Sequence, residues 1–261
     1  MTSDFVHYVV EGHIGFITLD RPEARNAIDE RVTNGIEAAV DAAENDDAVR
    51  VLILRAVTLE PHPVFCAGAD LKAVRAQVNH RVMTERGGFA GLTHRERSKP
   101  LIAAVDGLAT AGGVEILLAC DMIIASTRSS FGLAETKRNL VANSGGCYRL
   151  PRALGRAVAL EAIMTGNPLP ASRAYELGMV NHVVAPDEVE AVAVALAETI
   201  AANAPQAVRF SRQIAMAADT LSDAELQAMG DASLAIVMHS DDLREGLAAF
   251  AEKRPPHWTG R

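Results

Sequence analysis

The sequence predicts an α/β protein, and three observations carry that expectation. Stretches with the two-residue period of a strand alternate with stretches of helical period from residue 6 to residue 184. Residues 49–57, VRVLILRAV, form a near-continuous apolar run of the kind buried on both faces of a sheet. Hydrophobic residues make up 49% of the 261-residue chain and aromatics only 4%, so a large core must be built mostly from Ala, Val, Leu and Ile.

Taken in order, residues 6–10 and 13–19 are β-branched and alternating, and Glu11-Gly12 between them signals a hairpin. Asp20-Arg21-Pro22 breaks the second strand. Apolar residues at Ile28, Val32, Ile36 and Val40 then mark one face of a helix over 26–44. The buried strand at 49–57 follows, then a loop at 58–63 with two prolines. At 64–72, VFCAGADLK, the chain turns at Gly68 into a helix start near Ala69-Asp70. Residues 74–97 are mixed and highly charged, and read as a partly helical, mobile cover, a candidate lid. Its Val82, Met83, Phe89 and Leu92 read either as pocket lining or as core.

The stretch 99–121, KPLIAAVDGLATAGGVEILLACD, organises the rest. A short apolar strand at 101–105 leads to a small-residue turn and to an apolar helix that starts near Gly112 and runs towards Cys120. Gly112 and Gly113 let main chain come close to something else, because glycine has no Cβ. A helix start there presents unpaired N–H groups and the positive end of its dipole. Glu115 in the first turn reads either as a dipole-compensating acid or as a functional carboxylate. A strand at 122–125, helices between 153 and 177 and a last strand at 179–184 complete this part. From 187 onward the pattern is alanine-rich and helical, with breaks expected at Pro205 and Gly230. Two regions are therefore expected, 1–186 and 187–261.

Composition narrows the function classes. With 25 Lys and Arg against 33 Asp and Glu, the net charge is -8, which argues against nucleic acid or an anionic membrane as the main partner. No apolar run reaches the roughly 18 residues of a membrane span, and residues 1–10 lack the positive start of a secretory signal. Cys66, Cys120 and Cys147 are too few and scattered for a disulfide framework or a zinc site, and read as small buried residues in a cytoplasmic, reducing setting. A GxxxxGK[ST] loop is absent, as is a GxGxxG after the first strand, which disfavours a nucleotide fold.

Six segments in order resemble the crotonase (enoyl-CoA hydratase/isomerase) superfamily. They are RPEARNAI at 21–28, FCAGADLK at 65–72, the 99–121 stretch, FGLAETK at 131–137, GGCYRLPRALG at 145–155 and TGNPLPASRAYELGMVNHVV at 165–184. The resemblance implies a crotonase-like core of repeated ββα turns, a spiral, with a C-terminal helical region used in trimerisation. It implies a homotrimer or homohexamer, and an acyl-CoA thioester as substrate. Coenzyme A enters as part of that substrate, with no metal or redox cofactor.

By motif position, the N–H groups of Ala69 and Gly112 would form an oxyanion hole for the thioester oxygen, a device worth about 3–4 kcal/mol per donor elsewhere. Glu115 and Glu135 match the two carboxylates of the family's hydratases. Glu135 would deliver a proton to C2 and Glu115 would hold the water that attacks C3. Crowding and burial can separate the pKa values of such a pair. CoA is expected along 21–27 and 67–72, with Arg25, Ala27, Ala67, Gly68, Asp70, Leu71, Lys72 and Gly113 beside the substrate. The chain departs from the hydratase pattern at Ala134, where proline is usual, and at Asn143, where glycine helps hold the water. Asn143 adds an amide near the water or the acyl β-carbon. The implied activity is reversible hydration of a 2-enoyl-CoA. The alternatives are a crotonase-fold isomerase, a specialised acyl-CoA dehydratase and a non-catalytic acyl-CoA-binding protein.

Overall fold

The computed structural model describes residues 2–71 and 81–261. Lys72, with the start of the cover expected at 74–97, lies outside the described residues. The chain opens with β1 (Thr2–Ser3), β2 (Val6–Glu11) and β3 (Ile14–Leu19), paired antiparallel in turn, and Gly12 at φ +58° makes the expected tight turn.

Helix α1 (Glu30–Glu44) begins at Glu30 rather than at Asn26. Asp29 caps it, its Oδ1 accepting the N–H groups of Arg31 and Val32, both at 3.0 Å. Asn26 is left-handed and buried. Its Oδ1 accepts Arg21 N–H at 2.9 Å, and its Nδ2 donates to Val57 O at 2.8 Å and Val64 O at 3.1 Å. Those three bonds pin the turn before the helix to the ends of two strands.

The next elements are β4 (Val51–Ala56), β5 (Val64–Cys66), β6 (Met83–Thr84), β7 (Gly88–Phe89), β8 (Leu101–Val105), β9 (Leu108–Thr110), α2 (Gly112–Leu117), β10 (Met122–Ser126) and β11 (Ser130–Gly132). Three times in succession the chain lays a strand in one sheet and the following strand in another. Thus β4, β8 and β10 are parallel neighbours in a seven-stranded sheet, while β5, β9 and β11 are parallel neighbours in a four-stranded one. This is the ββα spiral. The remainder of the core is α3 (Gly146–Leu154), α4 (Arg156–Thr165), β12 (Leu169–Pro170), α5 (Ala171–Glu176) and β13 (His182–Val184).

Alternation explains why the central strands are apolar throughout. Leu52, Leu54, Leu101 and Ala103 face one core with Val32, Ile36 and Val40 of α1. Val51, Ile53, Ile102 and Ile124 face a second core with Val189, Ala193, Ala197 and Ala201. Those last four belong to α6 (Val189–Ala201), which lies on the large sheet. Each Val, Leu or Ile among them, fully buried, contributes about 1.5–3 kcal/mol.

Three further helices follow, α7 (Pro205–Ala217), α8 (Asp223–Val237) and α9 (Asp241–Glu252). Pro205 starts α7 as expected, but Gly230 lies inside α8. A single glycine weakens a helix by only about 1 kcal/mol. The break comes earlier, at Ser222, whose hydroxyl accepts Glu225 N–H in a capping box. Neither α7 nor α8 has a buried residue, and Leu234, Ile236, Met238 and Phe250 are exposed.

The lid reading is corrected for 87–93. Every residue there is buried, and Phe89, Ala90 and Leu92 belong to the core. Apolar residues on a turn with Ala90 and Gly91 both left-handed pack inward despite the charged flanks. Val82 packs partly against the core, whereas Met83 is exposed.

Candidate active site

Strands β5 and β9 end side by side, and two sharp turns follow. Gly68 has φ +83°, and Ala111 has φ +52° with ψ -127°, a conformation that favours glycine. The turns touch. A Cβ on Gly68 would lie 2.8 Å from Gly112 N, and one on Gly113 would lie 2.3 Å from Cys66 O. Around Ala69, Ile28 N–H donates to Gly68 O at 2.8 Å and Asp70 N–H to Ile28 O at 2.9 Å. Ala69 N–H thus has no main-chain acceptor among the described residues. Gly112 is the first residue of α2, where an N–H has no intrahelical acceptor. Two amides without a main-chain acceptor among the described residues therefore lie on touching turns, with the Phe89 ring packed against Gly112, where an added Cβ would come within 2.5 Å of Cε1.

Glu115 lies one turn into α2 and is 4% exposed. Its Oε1 accepts Ser144 N–H at 2.7 Å and Gly146 N–H at 3.0 Å. Glu135 opens the 3-10 turn Glu135–Arg138 after β11 and is 8% exposed, and its buried Oε2 has no hydrogen-bond partner among the described residues. Burial raises the pKa of both. For Glu115 the two N–H donors and the Arg149 charge oppose that rise. Glu135 is pushed up to about 7, by burial first and then by the charge of Glu115. Glu135 therefore keeps its proton to the higher pH, and Glu115 is the better anion. The two buried carboxyl groups are near enough for the charge of Glu115 to act on Glu135.

The turn 21–27 runs along 67–70. Arg25 O accepts Ala67 N–H at 3.0 Å, Arg21 Nη1 pairs with Asp70 at 2.9 Å, and the same Nη1 donates to Ala27 O at 3.1 Å. Arg25 is exposed, Ala27 and Gly68 are buried, and Leu71 is exposed. Asn143 is exposed, and its N–H donates to Val141 O at 2.9 Å. That amide is already engaged, so what Asn143 offers a substrate is its side chain.

Sequence reasoning missed Ser144, Gly146 and Arg149, which act across long chain separations. The cysteine reading needs one correction. Cys66 is buried and Cys120 half-buried, their thiols pushed up to about 12 by burial, but Cys147 is exposed. It sits in the first turn of α3, where burial and the charges of Glu115 and Glu135 raise its pKa.

The profile of the enoyl-CoA hydratase/isomerase family matches residues 10–261. A carnitinyl-CoA dehydratase of Proteus mirabilis is 40% identical over 264 residues, covering 99% of this chain and 100% of its own. An enoyl-CoA hydratase structure from Mycobacterium tuberculosis superposes with a TM-score of 0.92 at 42% identity, covering 98% of this chain and 99% of its own. A carnitinyl-CoA hydratase structure from Mycobacterium avium superposes at 0.77 with 39% identity and full coverage of both chains. Matched along almost its whole length in sequence and in spiral topology, the chain belongs to the enoyl-CoA hydratase/isomerase family.

Proposed function

We propose that this chain is a hydro-lyase that adds water reversibly to a 2-enoyl-CoA thioester. The observation that carries the reading is the buried pair of glutamates, Glu115 held by two N–H donors and Glu135 pushed up to about 7, in a chain that leaves the amides of Ala69 and Gly112 without a main-chain acceptor among the described residues. Glu115, as the anion, accepts a proton from water while the water oxygen bonds to C3. The electron pair of the C2–C3 double bond moves towards the thioester, and negative charge develops on its oxygen. The N–H groups of Ala69 and Gly112 stabilise that charge. Glu135 then delivers its proton to C2, and exchange with solvent returns the pair to its starting state.

Run in reverse, the same steps remove water from a 3-hydroxyacyl-CoA. The relatives named as carnitinyl-CoA dehydratases favour this direction as a second reading. CoA would lie along 21–27 and 67–71. The region 187–261 would mediate trimer or hexamer formation in the cytoplasm, a reading supported by the exposed apolar residues of α8 and α9. Sedimentation at micromolar concentration tests the assembly, and a monomer contradicts it.

The test of activity is loss of the conjugated-thioester absorbance of crotonyl-CoA. Wild-type protein should bleach it and Glu135→Gln should not. Tight binding of the ester with no turnover by wild type would reject the reading.

A further inference from the structure

Arg149, at the end of the first turn of α3, is spent on neither half of the mechanism above, yet its side chain reaches a neighbour of each. It folds back over Gly145, where an added Cβ would lie 2.8 Å from Nη1, 3.2 Å from Cδ and 3.3 Å from Cζ. Gly145, at φ +126°, is the link between Ser144 and Gly146, the two residues whose N–H groups hold Glu115. The other arm of the guanidinium, Nη2, donates to Thr93 O at 2.6 Å. Thr93 is buried and closes the turn that carries Phe89, since its N–H donates to Phe89 O at 3.1 Å. The Phe89 ring in turn abuts Gly112. One side chain thus spans from the carboxylate loop to the wall of the amide site.

Resting on the hydration reading of this site, we propose that Arg149 is a positioning residue: it braces the Ser144–Gly146 loop against the Phe89 turn, so that the Glu115 carboxylate and the Gly112 amide keep one geometry. Packing alone does not explain an arginine here. Its Nη1 is buried with no acceptor among the described residues, a penalty that a methionine or leucine filling the same space would not carry. A planar fork reaching two places at once is what arginine supplies and lysine does not. Its charge also favours the anionic form of Glu115. The Arg149 charge also reaches Cys120, beside Arg97 and Asp121. Glu135 and Cys147 both feel the charge of Glu115, and Arg138 acts on Glu135.

The test uses the full chain, crotonyl-CoA, and the variants Arg149→Met and Arg149→Lys. In Arg149→Met, kcat should fall about 100-fold, the scale of a slightly displaced catalytic group, while KM shifts by no more than about threefold. The acid limb of the kcat profile, which reports ionisation of Glu115, should move to higher pH. Arg149→Lys should leave that limb in place but lose about tenfold in kcat, because an ammonium cannot hold both contacts. An acid limb unmoved in Arg149→Met overturns the proposal, as does wild-type kcat in Arg149→Lys. Should Arg149→Met fail to fold, the lysine variant decides alone. Wild-type protein inert towards crotonyl-CoA would instead reject the hydration reading, and this inference with it.

Discussion

Ser144 donates its main-chain N–H to Glu115 Oε1 at 2.7 Å, joining the first turn of α2 to the loop before α3 across 29 residues of sequence. With Gly146 on the same oxygen at 3.0 Å, one carboxylate oxygen carries both bonds. This arrangement favours the ionised form of Glu115, because N–H donors stabilise the anion.

Glu115→Gln keeps an oxygen to accept the same two N–H groups, so folding should survive. Turnover should fall by about 10²–10⁴, the usual worth of a positioned general base. Thermal melting alongside a hydration assay separates the two effects. A variant that hydrates crotonyl-CoA at near-wild-type rate removes Glu115 from the mechanism.

Glu135 links stability to pH with a definite sign. Its pKa in the folded chain is about 7 against an ordinary 4.5, so the native state binds this proton more tightly than the unfolded state does. The stabilisation from that proton is complete below about 4.5 and is lost as pH rises through about 7. Glu135→Gln, neutral throughout, should exceed wild type in stability at pH 8 by roughly 2–3 kcal/mol and match it near pH 4. Urea unfolding at the two pH values reads the difference, and an equal gap at both would place the proton elsewhere. Wild-type kcat/KM should decline above pH 7 for the same reason.

Gly113→Ala sets a methyl 2.3 Å from Cys66 O, main chain against main chain, where neither side can yield cheaply. A loss of about 1–3 kcal/mol is expected, with activity falling as α2 is pushed from β5. A melting temperature unchanged by the substitution would mean that this close approach is not required.

Ala111→Gly should do the opposite. Held at φ +52° and ψ -127°, the alanine is strained by about 1–3 kcal/mol, while glycine there forfeits about 0.5–1 kcal/mol of chain entropy. A net gain on the order of 1 kcal/mol is expected by chemical denaturation, and a net loss would show that the turn accepts a side chain without strain.

The local elements were legible because their causes are local. Alternation in VHYVVE and IGFITL and the glycine between them define the β2–β3 hairpin. The apolar period defines most of α1, although Asn26, with its partners at Val57 and Val64, sat outside what periodicity can report. The charged flanks of 81–98 masked the buried turn around Phe89, since composition averages over residues that face opposite ways.

What the sequence by itself determined is the set of α/β elements, the glycines at the close approaches and, through six ordered motifs, the two glutamates and the two amides as candidates. Only the tertiary structure decided which sheet receives each successive strand, which amides hold Glu115, and which glutamate keeps its proton. Proton affinity depends on burial and on donors brought from 29 and 31 residues away, and neither is a property of the nearby chain.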